Sequence, residues 1–168
     1  MENKYYNFSV IFDKTKRKIY NFVLKMTSDK MLSEDIVQNV YLKFFEYMNK
    51  VEKPEFWLYK TARNEVYQYF RKKNIHKDQF NVTDIEDVEI ESNESLEETI
   101  ENSDLKNLIH DLLLRLPAGQ REVFLLKEYS GLSYKEISSI LEIEEELVKS
   151  RLYKVRQKLV IKISKYIN

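Results

Sequence analysis

Trp57, Tyr59 and Tyr67 are interleaved with Lys60, Arg63, Asn64, Gln68, Arg71, Lys72 and Lys73 in one short stretch of this 168-residue chain. Aromatic rings stack on unpaired bases, Lys and Arg track phosphates, and an Asn amide hydrogen-bonds a base edge. A surface built this way suits single-stranded nucleic acid. The competing reading puts the rings in a core and the charges on a solvated face, and for any one ring alone it is the better of the two. A second set lies near the C-terminus. There Lys149, Ser150, Arg151, Tyr153, Lys154, Arg156, Gln157 and Lys158 occupy the faces away from an apolar stripe. Cations and small polar groups along a helix meet the phosphates and base edges of a duplex, although basic helices also occur in bundles that bind nothing.

Catalysis has less to work with. The chain has no cysteine, which excludes a thiolate metal site, a disulfide framework and a cysteine nucleophile. His76 lies in a basic boundary segment and His110 in a helical pattern, neither with partners for a triad or a metal. The only two glycines, Gly119 and Gly131, are too far apart for a phosphate-cradling loop. The expectation is a protein that is not an enzyme and holds no cofactor or metal.

These groups need elements to position them. Two glycines and two prolines are too few for a sheet with tight hairpins, so the expected fold class is all-α. The first helix is expected over roughly Tyr5 to Met26, broken by Thr27-Ser28-Asp29. Ser33 is the expected N-cap of the second, with Glu34 and Asp35 in its first turn. Its apolar face is Val37, Val40, Tyr41, Phe44 and Met48. Lys53-Pro54 starts the third, which carries Leu58, Ala62, Val66, Tyr69 and Phe70 to about Lys73. Further on, Ser103 is the expected cap of a helix through Leu116, and Pro117-Ala118-Gly119 is a turn. A helix over about Gln120 to Tyr129 ends at Gly131. Ser133 and Glu136 form a capping box for a short helix, Tyr134 to Leu141. A long helix follows, with the stripe Val148, Leu152, Val155, Leu159 and Ile163. Short helix, tight turn and basic helix is the arrangement of a major-groove reader.

With 43% hydrophobic and 33% charged residues, wholesale disorder is excluded. The length allows one ordinary domain or two very small ones. No stretch reaches the ~18 apolar residues of a membrane span, and Met1 to Val10 lacks the order of a secretory signal. The expectation is a cytoplasmic chain without membrane insertion. The formal net charge of zero conceals an asymmetry. Residues 1–77 hold 16 bases and 9 acids, residues 78–104 hold 11 acids and no base, and residues 105–168 hold 12 bases and 8 acids. Like charges and few apolar residues make 78–104 an expected acidic linker between two basic helical domains.

The residues then carry a resemblance. Leu116 to Leu159, LPAGQREVFLLKEYSGLSYKEISSILEIEEELVKSRLYKVRQKL, resembles region 4 of bacterial sigma factors. Ser33 to Phe45, SEDIVQNVYLKFF, and Trp57 to Lys73, WLYKTARNEVYQYFRKK, resemble region 2 of the same sigma-70 family. With nothing folded between the regions, the layout is similar to the extracytoplasmic function (ECF) group. The resemblance implies a region 2 bundle of three to four helices over 1–77, the linker over 78–104, and a four-helix region 4 with a helix-turn-helix over 105–168. It implies core RNA polymerase, promoter DNA and an anti-sigma factor as partners. Asp35, Gln38, Asn39 and Leu42 match the family's face for the polymerase clamp. Trp57, Lys60, Arg63, Asn64, Tyr67, Arg71 and Lys72 match its single-strand capture element at −10, with Asn64 on a flipped base. Glu145, Lys149, Ser150, Arg151, Tyr153 and Lys154 match its recognition helix for the −35 duplex, and region 4 would also bind the polymerase flap. The acidic linker would thread the RNA path, where a polyanion fits a basic channel. At ~3.3–3.6 Å per residue, its 27 residues reach at most ~90 Å, enough for elements ~70 Å apart.

Two departures from the family pattern matter. Glu142 stands where the family usually has Gly, and a left-handed non-Gly residue there costs of order 1–2 kcal/mol, so a differently shaped turn is expected. Glu144-Glu145-Glu146 open the recognition helix, where carboxylates repel phosphates or accept from cytosine amino groups. Weak binding of region 4 to DNA by itself is the expectation. The alternative function is a helix-turn-helix regulator that binds duplex DNA without polymerase and leaves Asn64 without a role.

Overall fold

The computed structural model describes residues 2–75 and 104–168. His76, Ser103 and all of the expected linker except Asp104 lie outside the described residues. Those described are helical and contain no strand, as the scarcity of glycine predicted. They fall into two compact units.

The first unit holds α1 (Glu2–Thr27), α2 (Lys30–Tyr47) and α3 (Pro54–Ile75), with a 3-10 turn, Met48–Lys50, before α3. Each helix packs on the other two. Ile19, Phe22, Val23 and Met26 of α1 meet Ile36, Val40, Tyr41 and Phe44 of α2 and Leu58, Tyr59, Ala62, Val66, Tyr67 and Phe70 of α3. A polar contact is built into this core, between the Thr15 and Tyr41 hydroxyls at 2.7 Å. Pro54 opens α3 as expected, where its missing N–H costs nothing.

The entry to α2 differs from expectation. Asp29, not Ser33, is the N-cap: its Oδ1 accepts from the Leu32 N–H at 3.0 Å. Ser33 is buried one turn into the helix, where its Oγ donates to the Asp29 carbonyl at 2.6 Å and bonds the Thr27 hydroxyl at 2.8 Å. Ser28, left-handed at φ 54°, turns the chain so sharply that α2 gains a turn.

The second unit holds α4 (Asp104–Leu114), α5 (Ala118–Phe124), a π-helical turn (Leu125–Tyr129), α6 (Tyr134–Leu141) and α7 (Glu145–Ile167). Arg121 on α5 is buried and ties α4 to its neighbour. Its guanidinium donates to the carbonyls of Leu113 at 2.7 Å, Leu114 at 2.5 Å and Leu116 at 3.2 Å. The Leu113 and Leu114 carbonyls lie in the last turn of α4, where a helix runs out of N–H donors, and Leu116 lies in the turn that follows. Gly131, at φ 68°, takes the left-handed position after the π turn. The Ser133–Glu136 capping box forms in both directions. Val148, Leu152 and Val155 bury the predicted stripe of α7, while Leu159 and Ile163 are half-buried.

Candidate nucleic-acid interface

On α3, Lys60, Asn64, Gln68 and Arg71 recur at i, i+4, i+8 and i+11, so they share one face. Asn64, Gln68, Arg71 and Lys72 are exposed, and Lys60 and Arg63 are half-exposed. The aromatics behave differently from a set of stacking platforms. Tyr67 is 2% and Tyr59 0% exposed. The Tyr59 ring stands edge-on to Phe22 at 5.6 Å. Tyr67 instead carries the Arg63 guanidinium over its ring, 4.6 Å from the centroid. The expectation that Tyr67 itself offers a face to a base is corrected here. Because α3 packs on both α1 and α2, its apolar sector is wider than a stripe and takes in these two rings. Trp57 stays half-exposed, with its ring tilted against Phe44 at 5.7 Å.

On α2, Asp35, Gln38, Asn39 and Leu42 fall at i, i+3, i+4 and i+7, and all four are exposed. They face away from buried Ile36, Val40 and Phe44. Leu42 is 59% exposed. An apolar groove of about 540 Å³ between α1 and α2, lined by Phe8, Phe12, Tyr41, Leu42 and Phe45, adjoins this face. Sequence reasoning did not find the groove, because its walls come from two helices and spacing along either one does not show where they meet.

The turn before α7 passes through a residue in the left-handed region that glycine favours. Glu142 is left-handed at φ 56°, ψ 42°, so the differently shaped turn expected from Glu142 does not occur. The Ser138 hydroxyl braces the turn by donating to the Ile143 carbonyl at 2.6 Å. Glu144 is the N-cap of α7, but its side chain makes no capping bond. Glu145, Lys149, Ser150, Tyr153 and Lys154 are exposed. Arg151 is not: at 7% exposed it lies in the inward sector with Val148 and Leu152, three residues after one and adjacent to the other. Its expected place among the outward-facing DNA-contact residues is therefore corrected. Lys149 Nζ bonds Glu146 Oε1 at 3.2 Å, and Arg156 bonds Glu128 Oε1 at 2.6 Å. That carboxylate bond outweighs a smaller desolvation effect and raises the Arg156 pKa. Among the described residues no cluster of three or more His, Asp or Glu could hold a metal.

Comparison with known proteins decides between readings of this surface. Residues 11–75 match the family Sigma-70 region 2, and residues 106–159 match Sigma-70, region 4. The ECF RNA polymerase sigma factor SigM of Bacillus subtilis (strain 168) is 30% identical over 151 residues, 89% of this chain and 90% of SigM. The chain belongs to the ECF RNA polymerase sigma factors. SigW of the same organism, another ECF sigma factor, is 29% identical over 168 residues, 90% of this chain and 86% of SigW. Among solved structures, the sigma factor RpoE in complex with the anti-sigma factor NepR, from Bartonella quintana, superposes with TM-score 0.74 over 98% of both chains at 24% identity. That likeness establishes the two-region ECF sigma fold. The sigma factor thus carries α1–α3 as its region 2 fold and α4–α7 as its region 4 fold. A duplex-binding regulator would use only the second and leave residues 11–75 without a purpose.

Proposed function

We propose that this sigma factor opens promoters through α3 and reads them through α7 while bound to core RNA polymerase, which performs the chemistry. Asn64 takes a flipped base of the −10 element. Lys60, Arg63, Arg71 and Lys72 hold the phosphates beside it, and half-exposed Trp57 supports the strand. Asp35, Gln38, Asn39 and Leu42 meet the polymerase clamp. Lys149, Ser150, Tyr153 and Lys154 face the −35 duplex, with Glu145 at its edge. In this reading 1–77 and 105–168 are the two working domains and 78–104 joins them. The carrying observation is Asn64, exposed amid cations on a rigid helix that packs on two others. Work beside the polymerase implies a cytoplasmic protein, and no described helix is long and apolar enough to cross a membrane. Two structural neighbours were solved with a partner bound: the sigma factor RpoE with the anti-sigma factor NepR, and CnrH with the cytosolic domain of CnrY. An anti-sigma factor is accordingly a proposed partner here.

The test is transcription by purified core polymerase from a low-GC bacterium on fragmented genomic DNA, with and without this chain, mapping RNA 5′ ends. New starts sharing a two-part upstream motif are expected. No new starts, and no co-elution with core polymerase, would overturn the reading.

A further inference from the structure

Tyr134 opens α6 and gathers three cations from other elements. Lys127 Nζ, on the π-helical turn, lies 4.6 Å from its ring centroid, and Lys149 Nζ, on α7, lies 5.7 Å away. Arg156, two turns beyond Lys149, bonds the Glu128 carboxylate at 2.6 Å, and Tyr134 adds a lesser upward push to its pKa. Both ammonium distances fall within the ~6 Å over which a ring face attracts a cation. Each lysine has one further tie: Lys127 donates to the Leu132 carbonyl at 3.2 Å, and Lys149 to Glu146 at 3.2 Å. A lysine ammonium on its flexible stem ordinarily samples many positions, yet here two of them share one ring. Tyr134 is half-buried, and the buried residues of α6 are Ile137, Ile140 and Leu141. Its ring is therefore not part of the α6 core. Converging like charges repel, and the ring face with the Glu128 and Glu146 carboxylates offsets that repulsion.

Resting on the reading of α7 as the duplex-facing helix, we propose that Tyr134 is a positioning residue for the −35 interface. Its ring fixes where the Lys127 and Lys149 ammonium groups stand before DNA arrives. Side chains ordered in advance lose less freedom on binding, so the ring strengthens contacts it does not itself make.

The test uses the full chain and a fluorescein-labelled, mixed-sequence duplex of about 30 base pairs, followed by anisotropy at low ionic strength. Tyr134→Leu should weaken binding about 3- to 10-fold. Tyr134→Phe, which keeps the ring, should stay within about twofold of the parent. Combined with Lys149→Met, Tyr134→Leu should cost less than the product of the single losses. Parental affinity for Tyr134→Leu, equal losses for the Phe and Leu variants, or fully multiplicative losses would each overturn the proposal. A measurement free of variants at Tyr134 stands beside these. In the parent chain the ε-methylene protons of Lys127 and Lys149 should be shifted upfield by the ring current, and random-coil shifts at both would overturn the proposal. Absence of any duplex binding by the parent chain would do the same and leave the transcription result untouched. Absence of transcription starts would count against the sigma mechanism and not against Tyr134.

Discussion

The Arg63 guanidinium stands 4.6 Å over the ring of Tyr67, one helical turn further along α3. The ring is core and the guanidinium half-exposed, so a buried residue sets the direction of a surface cation. At a partly exposed site such a contact contributes about 0.5–1 kcal/mol. Asn64, the next residue, is exposed and takes no part in the core.

That difference separates two variants. Asn64→Ala should unfold at the parental temperature and reduce promoter opening at least ~10-fold, the loss of one well-formed base contact. Tyr67→Ala should lose opening together with about 3–5 kcal/mol of region 2 stability, the cost of deleting a buried ring. Permanganate reactivity of −10 thymines and thermal unfolding measure the two effects. Parental opening by Asn64→Ala would remove base capture from this residue.

Arg121→Met should destabilise the second unit by about 3–5 kcal/mol, because three carbonyls at and just beyond the end of α4 lose a charged donor. The sole tryptophan, Trp57, lies in the first unit, so its fluorescence follows that unit while helical circular dichroism follows both. In guanidinium chloride the variant should lower the circular dichroism transition and leave the fluorescence midpoint in place. Coincident shifts of both probes would contradict this local account.

Much of the fold was legible because apolar spacing is a direct readout of which helix face is buried. The α7 stripe and the capping box at Ser133 followed from spacing and residue type alone. The start of α2 was misread because Asp29 and Ser33 are both good caps. The choice fell to a left-handed Ser28 that no residue preference announces. Tyr59, Tyr67 and Arg151 were misplaced for a common reason. A helix packed on two sides buries more than one stripe, and how many partners α3 and α7 have is a tertiary fact. The exposure of the α3 face around Asn64 and of the α2 face around Leu42 was legible, since it is what the apolar pattern leaves over. The Tyr134 cluster was not, because Lys127, Tyr134 and Lys149 lie on three separate elements.

Glu142→Gly should stabilise the second unit by about 1 kcal/mol by relieving a left-handed side chain at φ 56°, less the entropy a glycine costs unfolded. Equilibrium denaturation followed by circular dichroism checks the sign. A lower midpoint would show that the bracing by Ser138 already removes the strain.

Glu144→Ser with Glu145→Ser should tighten duplex binding several-fold, on the order of 0.5–1 kcal/mol, by removing two negative charges from the end of α7 that approaches phosphates. Stability should hold nearly level. The new hydroxyl at the N-cap contributes about 0.5–1 kcal/mol, offsetting the lost attraction of the acids for the helix dipole. Unchanged affinity by anisotropy would count against phosphate repulsion.

Alkaline pH should weaken the first unit. Burial drives the Tyr41 hydroxyl up to about 12, partly opposed by its bond to Thr15, while an unfolded tyrosine titrates near ~10. The folded state thus holds the proton more tightly. The stability from this group is complete below pH ~10 and declines as pH rises toward ~12. Urea midpoints from Trp57 fluorescence should fall across that window, and Tyr41→Phe should flatten the fall. An equally steep fall in the variant would assign it to other groups.

The pairing of Lys149 with Glu146 also bears on how DNA binding responds to salt. A lysine in water is attended by mobile anions, and on DNA the condensed cations it displaces disperse into solution, which is the source of the salt dependence. Lys149 carries its counter-ion on its own helix. When it turns to a phosphate, the carboxylate it leaves stays tethered one turn away and gains no freedom. The contact is a trade of one partner for another, and the displaced partner remains at the interface as a local negative charge. With α7 read as the duplex-facing helix, this contact keeps the salt dependence that comes from cations leaving the DNA, and the tethered carboxylate subtracts from its strength.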